Sequence, residues 1–430
     1  MQLHDMVETR KVYLDHSATT PVDRRVVEAM LPFLTEKFGN ASSVHSFGQK
    51  ARAAVDRARR EVAALIGARP NEVVFVSGGT EANNLAIRGI TEATLSTDSA
   101  RSSAGQGHVI TSAIEHSSVR GISDDLEKRG WQITRLPVYG DGVVRVDDVR
   151  AALQPDTVLV SVMLANNEIG TIQPLEEIGA LVREERARGR KLRLHTDAVQ
   201  AAGRVPINVD SLGCDLLSLS AHKLYAPKGS GALFVRRGVR LSPQILGGHQ
   251  ERERRAGTEN VFGIVGFGAA AKLAREEMEQ RSRHDQLLRD RFEAGVTERI
   301  DEIVFNGLAG QRLPHLSNIS FRFIEGEGLL ISLDLQGVAV STGSACSSGT
   351  LEPSPVIRAL GRDDELARGA IRFSFGKDNT EEDVDYVIDV LARVVERLRK
   401  LSPLAGKERQ RGQAHLPDPE VLTLTSLTEP

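Results

Sequence analysis

Three polar segments of the chain each follow a predicted β-strand and carry side chains that could act on one ligand. Lys223 comes just after one strand candidate, where its amine could form a Schiff base with a phosphate-bearing aldehyde. Asp197 ends a second, and its carboxylate could pair with a ring nitrogen and keep that nitrogen protonated. Gly79 and Thr80 stand between a third strand and a helix, where unpaired N–H groups can hold a phosphate. Ligands of open α/β sheets bind at such strand ends.

Each segment also has an ordinary structural explanation. Gly79 and Thr80 could form only a tight turn in which Thr80 caps the helix. Asp197 could cap a helix or bind a metal ion together with His195, although no further ligands lie at zinc-like spacing. Lys223 could be a solvated surface lysine. The residue types alone leave these alternatives open.

The two cysteines have different surroundings. Cys346 lies in the Gly- and Ser-rich stretch 341–349, which has too little apolar content to pack firmly and would leave a nucleophilic thiol accessible. Cys214 stands in the stretch 213–217 and is expected to be a buried filler. Two cysteines cannot form a disulfide framework, so we expect free thiols and a cytoplasmic protein.

Composition and charge argue against other classes of function. The 430 residues are 40% hydrophobic and 26% charged, which is typical of a globular chain of two or three domains. The net charge of -3 provides no basic field, so direct nucleic-acid binding is not expected. No apolar run approaches the roughly 18 residues of a spanning helix, so no membrane association is expected.

The pattern of predicted elements changes near residue 275. From about residue 70 to 240, short β-branched runs alternate with helical patterns, which predicts an α/β sheet covered by helices on both faces. Later come a long charged helix, a strand pair and a closing helix, which indicate a smaller α+β domain. The strand candidates of the first part are 73–76, 108–110, 158–162, 192–195, 216–219 and 232–235, and the later elements are expected at 273–301, 318–323 and 381–398.

These patterns predict the division of the chain into domains. We expect a large domain over residues 20–275. The small domain would combine residues 1–19 with 276–402 and would carry Cys346. Residues 403–430 are polar and contain proline, so a mobile tail is expected there.

Ten stretches resemble, in the same order, those of cysteine desulfurases of the NifS/IscS type, which are class V aminotransferases among the fold-type I pyridoxal-phosphate enzymes. The resemblance covers about residues 12 to 400. It implies a large domain with a mainly parallel seven-stranded sheet covered by helices, and pyridoxal 5'-phosphate as the cofactor. The stretches are YLDHSATTPVD (13–23), FGNASSVHSFG (38–48), VFVSGGTEANNLAI (74–87), EHSSV (115–119), ANNEIGTIQP (165–174), HTDAVQAAGRVPI (195–207), LSAHKLYAPKGSGAL (219–233), GGHQERERRAGTEN (247–260), STGSACSSGTLEPSPVIRALG (341–361) and IRFSFG (371–376).

The resemblance also implies roles for individual residues. Lys223 would hold the cofactor as a Schiff base and move the substrate α-proton, Asp197 would pair with the ring nitrogen, and His116 would stack on the ring. Arg372, with Asn167, would bind the substrate carboxylate through its planar fork. On spacing alone, a surface ion pair is the more ordinary role for Arg372. The complete set implied at the cofactor is Gly79, Thr80, His116, Asn167, Asp197, Gln200, Ser220, His222, Lys223 and, from the partner subunit of a homodimer, Thr258.

The implied reaction converts L-cysteine and an acceptor thiol into L-alanine and a persulfide, with Lys223, His116 and Cys346 as catalytic residues. Cys346 would receive the sulfur, and its persulfide could also ligate a metal of an iron–sulfur cluster. The sulfur would pass to an acceptor protein such as an iron–sulfur scaffold. A selenocysteine lyase or another class V aminotransferase would share the cofactor residues, but neither requires a thiol at Cys346.

Overall fold

The computed structural model describes residues 10–97, 106–307, 310–343 and 353–402 of the chain. Cys346 and the expected tail over 403–430 lie outside these residues. Within the described ranges, no helix has both the length and the apolar character needed to cross a membrane.

A seven-stranded sheet organises the first part of the chain. All six strand candidates are confirmed to within two residues of their predicted bounds. The seventh strand was missed because it is an edge strand, QITRL, whose polar side chains hide the apolar pattern. The strands are β2 Val73–Val76, β3 His108–Ser112, β4 Gln132–Leu136, β5 Thr157–Ser161, β6 Arg193–Asp197, β7 Leu216–Ser220 and β8 Gly231–Val235, after a short β1 at Val12–Tyr13.

The order across the sheet is β2-β8-β7-β6-β5-β3-β4, in which β8 runs antiparallel to both of its neighbours and the other pairs are parallel. Successive side chains of a strand point to opposite faces. Val74 and Val76 accordingly join one apolar cluster, whereas Val73 and Phe75 join another. Both faces are therefore covered, which explains why strands such as β2, β5 and β7 are buried at every position.

Helices connect these strands and cover the two faces. They are α1 Arg24–Met30, α2 Pro32–Thr35, α3 Ser46–Leu65, α4 Gly79–Thr97, α5 Ser117–Lys128, α6 Val146–Ala152, α7 Leu175–Ala187 and α8 Val209–Leu212. The face of Val74 packs on α4 and α5, and the opposite face packs on α3 and α7.

The later part of the chain packs around an apolar cluster of its own, which includes Leu14, Phe292, Phe373 and Leu391. Its elements are α9 Val261–Arg299, β9 Ile303–Phe305, β10 Leu316–Phe321, α10 Gly326–Asp334, β11 Val338–Ala339, α11 Pro355–Ala359, α12 Asp364–Arg368, β12 Ala370–Ser374 and α13 Glu381–Leu401. A three-stranded antiparallel sheet has the order β12-β10-β9, and β1 pairs in parallel with β11.

The long helix α9 begins earlier than expected. The predicted start at residue 273 is wrong, since the helix begins at Val261. The glycines of the stretch 261–274 lower its helix propensity, but they allow this part of the helix to pack closely on its neighbours. A Cβ on Gly268 would lie 2.5 Å from the Cα of Ala58 on α3, so glycine lets the two helices approach. The expected domain division between residues 275 and 276 falls inside α9 and stays a prediction.

Candidate active site

A cavity of about 240 Å³ lies at the carboxyl ends of the parallel strands. Nine of the ten residues predicted at the cofactor line it, and only Thr258 does not. They come from the ends of β6 and β7, the start of α4 and the turns that follow the strands. The nine are Gly79, Thr80, His116, Asn167, Asp197, Gln200, Ser220, His222 and Lys223.

Asp197 forms the buried floor of this cavity. Its Oδ1 accepts a hydrogen bond from the Val199 N–H at 2.9 Å, and its Oδ2 accepts one from Asn83 Nδ2 at 2.7 Å. Asn83 lies on α4, one helical turn after Gly79. The carboxylate is thereby held in one orientation, with donors on both oxygens that suit its ionised form.

His116 stands at the cavity wall immediately before α5. Its Nδ1 accepts a hydrogen bond from the Ser118 N–H at 3.2 Å and caps that helix. Burial lowers the pKa of His116; the Asp197 carboxylate opposes this shift, and the positive charge of Lys223 adds to it. The ring is therefore neutral near pH 7, which leaves a flat aromatic face for a planar ligand.

Lys223 lies in a single 3-10 turn directly after β7. Its Nζ donates to the backbone carbonyls of Ser17 and Ala18, 206 and 205 residues away in the sequence. Gln200 Nε2 also donates to the Ser17 carbonyl, at 2.9 Å. The segment 15–20 thus supplies another wall of the cavity, which Ala18 lines, and orients two of the predicted cofactor groups.

The start of α4 forms one end of the cavity, together with Ser220 and His222. The first N–H groups of a helix have no partner within the helix, so they can bind an anion. A Cβ on Gly79 would lie 2.8 Å from Cγ2 of Val199, so this position is tight as well as polar. Burial lowers the pKa of His222 to about 4, helped by the charges of Lys223 and Lys228, and its neutral ring lies 3.1 Å from Thr19 Oγ1.

Arg372 is buried beside the cavity, without being one of its lining residues. Its Nη1 donates to the Asn167 carbonyl at 2.9 Å, and its Nη2 donates to Asp15 Oδ1 at 2.7 Å. The side chain of Arg372 is only 4% exposed. The ion pair considered from spacing alone therefore exists, but it is an interior pair next to the predicted substrate residue Asn167.

Thr258 lies apart from the other predicted cofactor residues. It is exposed and lines a smaller cavity of about 120 Å³ together with Ser77 and Ser230. Its loop is anchored by buried Glu251, whose carboxylate pairs with Arg59 at 2.6 Å. Within one chain, Thr258 is therefore not one of the residues that line the larger cavity.

The segment that contains Cys346 is described only at its two ends. Gly343 packs against the carboxyl group of Glu168, since a Cβ on that glycine would lie 3.0 Å from Oε2. Ser354 Oγ donates to the same Oε2 at 2.6 Å. Both ends therefore lie beside the neighbour of Asn167, a residue of the cavity wall.

Cys214 and His195 have structural roles. Cys214 is fully buried, and burial raises the pKa of its thiol to about 12, which confirms the expected filler. His195 is buried between the hydroxyls of Ser161 at 2.8 Å and Ser218 at 3.0 Å. No cluster of three or more potential metal ligands occurs among the described residues, so the metal alternative for Asp197 and His195 gains no support.

Sequence reasoning missed several groups that shape the site. Asn83 follows Gly79 by four residues, and helical spacing could have revealed that it shares the Gly79 face of α4. Glu115 precedes His116 and is fully buried, and burial raises the pKa of its carboxyl to about 8. The contacts of Ser17 and Ala18 with Lys223 have no local signal, because more than 200 residues separate the partners.

Comparisons with known proteins agree with this geometry. Residues 12–387 match the family described as aminotransferase class-V. The chain belongs to that family. A relative from Dictyoglomus turgidum, named cysteine desulfurase IscS, is 51% identical over 92% of this chain and 97% of its own length. Another of that name, from Methanosarcina thermophila, is 49% identical over 93% and 96%. A solved structure titled NifS-like protein superposes with a TM-score of 0.82 at 36% identity and covers 90% of this chain and 100% of its own.

Membership of the class V aminotransferases confirms the fold-type I α/β architecture and pyridoxal 5'-phosphate as the cofactor. The donors of the cavity fit that molecule. A fixed carboxylate at Asp197 suits a protonated ring nitrogen, the amine of Lys223 suits the aldehyde, and the start of α4 suits the phosphate.

Proposed function

We propose that this class V aminotransferase is a cysteine desulfurase, which converts L-cysteine into L-alanine and places the sulfur on Cys346 as a persulfide. The observation that carries the proposal is the convergence of nine predicted residues on one cavity in a chain about half identical to cysteine desulfurases. The contact of both flanking residues, Gly343 and Ser354, with Glu168 supports the role of Cys346 at this cavity.

Lys223 moves the proton of the substrate Cα. Bound pyridoxal 5'-phosphate supplies a sink for the electrons that remain on Cα when this proton leaves. The carbonyls of Ser17 and Ala18 hold Nζ at the cavity wall, so the amine stays close to the reacting carbon. Asn83 and the Val199 N–H fix both oxygens of Asp197, so its negative charge would be available to the ring nitrogen of the bound cofactor. His116 would cover the ring face.

Arg372 and Asn167 bind the α-carboxylate of the substrate and orient its side chain. The guanidinium is already fixed by its bond to the Asn167 carbonyl. The thiolate of Cys346 then attacks the substrate sulfur. A sulfur–sulfur bond forms, the carbon–sulfur bond breaks with its electron pair on Cβ, and Cβ takes up a proton. Return of a proton from Lys223 to Cα then completes L-alanine.

The active unit in this proposal is a homodimer, in which Thr258 reaches the cofactor phosphate of the partner subunit. Its exposure and its separation from the larger cavity support this arrangement. Two stretches carry exposed apolar side chains that a second copy would cover, among them Leu31, Leu34, Phe38, Val44, Phe47, Ile245, Leu246 and Phe262.

The sulfur acceptor in this proposal is a protein such as an iron–sulfur scaffold. The Cys346 persulfide could serve as a transient ligand of the nascent cluster. A persulfide must survive between loading and transfer, and thiol chemistry of this kind fits a cytoplasmic location.

Replacement of Cys346 by serine tests the proposal. Cys346→Ser should still bind the cofactor and L-cysteine, because those steps do not use the thiol, but alanine production should fall to background. Wild-type protein incubated with L-cysteine and no reductant should gain the mass of one sulfur atom on the peptide that contains Cys346. Cys214→Ser is the matched control and should change neither result, since that thiol is buried. Turnover of Cys346→Ser at the wild-type rate would favour a selenocysteine lyase or another aminotransferase.

A further inference from the structure

The guanidinium of Arg372 already binds a carboxylate of the chain itself, that of Asp15. Its Nη2 donates to Asp15 Oδ1 at 2.7 Å, and its Nη1 donates to the Asn167 carbonyl at 2.9 Å. Its Nε is buried and has no hydrogen-bond partner within the described part of the chain. Two of the five N–H groups of the guanidinium are therefore used, one of them by Asp15, and the N–H of Nε is buried without a partner in the described ranges.

A carboxylate binds arginine most strongly through two parallel N–H bonds on one edge of the fork. The edge formed by Nε and Nη2 contains the N–H of Nε, which has no hydrogen-bond partner among the described residues. Asp15 holds Nη2 of that edge through a single oxygen. The bond from Nη1 to the Asn167 carbonyl holds the guanidinium in this orientation. A substrate carboxylate that binds this edge through two parallel bonds must therefore compete with Asp15 for Nη2.

The backbone around Asp15 is fixed independently of its side chain. The Asp15 carbonyl accepts from the Ala18 N–H at 3.0 Å and from Tyr13 Oη at 3.0 Å. The preceding Leu14 carbonyl accepts from the Ser374 N–H at 2.8 Å. The side chain of Asp15 is 19% exposed, compared with 4% for Arg372. Asp15 can thus leave the arginine without any break in the strand pairing around it.

Another carboxyl group, that of Glu168, lies near Arg372 but is not its direct partner. Burial raises the pKa of Glu168, and its Oε2 accepts from Ser354 Oγ. Asp15 is the carboxylate that neutralises the buried guanidinium. An unpaired buried charge is costly, so a counter-ion stabilises the site while no substrate is present.

We propose that Asp15 acts as an internal stand-in for the substrate carboxylate, which occupies Arg372 in the unliganded enzyme and is displaced when an α-amino acid binds. This inference rests on the role proposed above for Arg372. Asp15 is then a positioning residue. It keeps the arginine oriented. The apparent affinity for carboxylate ligands equals the intrinsic affinity multiplied by the fraction of time in which Asp15 has released the guanidinium. The affinity for amines without a carboxylate is unaffected.

L-alanine and ethylamine form a matched pair of probes, because ethylamine is alanine without its carboxylate. Their dissociation constants are measured by calorimetric titration of cofactor-loaded enzyme. Asp15→Asn keeps the size of the side chain and removes its charge, so L-alanine should bind about 5- to 20-fold more tightly, while ethylamine binding should not change. Asp378→Asn, at an exposed carboxylate beside Lys377, is the control and should alter neither constant.

The same titrations separate the possible failures. Unchanged or weaker L-alanine binding in both Asp15→Asn and Asp15→Ala, with normal thermal unfolding, would overturn the role of Asp15. Equal weakening of L-alanine and ethylamine would show a purely structural contact and overturn it as well. Arg372→Lys should lose the preference for L-alanine over ethylamine. If Arg372→Lys retains that preference, the carboxylate site itself is misassigned, and the proposal for Asp15 falls with it.

Discussion

The two walls of the cofactor cavity are built in different ways. On the sheet side, Asp197, His116 and Ser220 stand at strand ends or helix starts, and nearby backbone N–H groups fix Asp197 and His116. On the other wall, the backbone of Ser17 and Ala18 contacts Lys223 from a distant part of the chain. The sheet side supplies charged and aromatic groups, whereas the other wall mainly orients the groups that react.

This contrast shows that the catalytic groups and the residues that hold them come from different parts of the sequence. The sheet-side groups depend on local strand-to-helix turns. The supports on the other wall depend on the contact between segment 15–20 and β12, in which Ser374 Oγ accepts from the Ser17 N–H at 2.9 Å. Changes on the sheet side should therefore affect chemistry, and changes in packing should affect stability or ligand affinity.

The largest effect is expected for Asp197→Asn. A neutral amide no longer keeps the ring nitrogen protonated, so cysteine turnover should fall by about 100-fold or more, while the fold is retained. Steady-state alanine production and thermal unfolding measure the two quantities. Asp210→Asn, an exposed carboxylate, is the control. A variant at Asp197 with a near-normal rate would contradict the role of the sheet side as the source of charge.

A smaller effect, on stability, is expected at Glu115 beneath the same wall. Burial raises the pKa of Glu115 to about 8 from 4.5, so the folded state binds more protons than the unfolded state between these values. Stability from this group is complete below pH 4.5 and is lost as the pH rises through 8. Glu115→Gln should thus gain stability relative to wild type at higher pH, by roughly 1 kcal/mol per pH unit.

Chemical denaturation at pH 5.5, 7 and 8.5 measures this difference. Glu28→Gln, at an exposed carboxylate, should show none of it. A stability difference between Glu115→Gln and wild type that stays constant over this range would mean that the carboxyl is ionised throughout.

The smallest effect is expected where the sheet side is tightly packed. Gly79→Ala places a methyl group 2.8 Å from Val199 Cγ2 and should cost about 1–2 kcal/mol in stability, with weaker cofactor retention. Gly79→Ala combined with Val199→Ala should restore most of the loss, because the second change removes the contact. Thermal unfolding and cofactor release during dialysis follow both variants. An unimpaired single variant would show that the start of α4 has room to move.

Much of the sheet side could be predicted from the sequence. β-branched runs marked six of the seven strands, and the polar residues directly after them marked Asp197 and Lys223. The predicted alternation failed at β4, whose edge position permits polar side chains. It failed again at the start of α9, where packing against α3 overrides the low helix propensity of glycine.

The remainder of the site could not be predicted because it depends on tertiary contacts. Nothing local indicates that Asp15 meets Arg372, since 357 residues separate them. Asn167 and Arg372 could be assigned only through the resemblance, and spacing alone favoured a surface position for the arginine that is wrong. The role of Thr258 stays a prediction, because it requires a second subunit, and Cys346 lies outside the described residues.

The helix α9 has a consequence for how this protein can be divided. Its 39 residues extend roughly 58 Å, at about 1.5 Å per residue. Residues near its start, such as Ile264 and Ala274, belong to the apolar cluster of the sheet, and Phe292 and Val296 belong to that of the later part. A cut between residues 275 and 276 would sever a continuous helix, although each half would keep the residues of α9 that pack in its own apolar cluster. The predicted boundary therefore separates the apolar contacts of the two parts, while the helix backbone runs through it without a break.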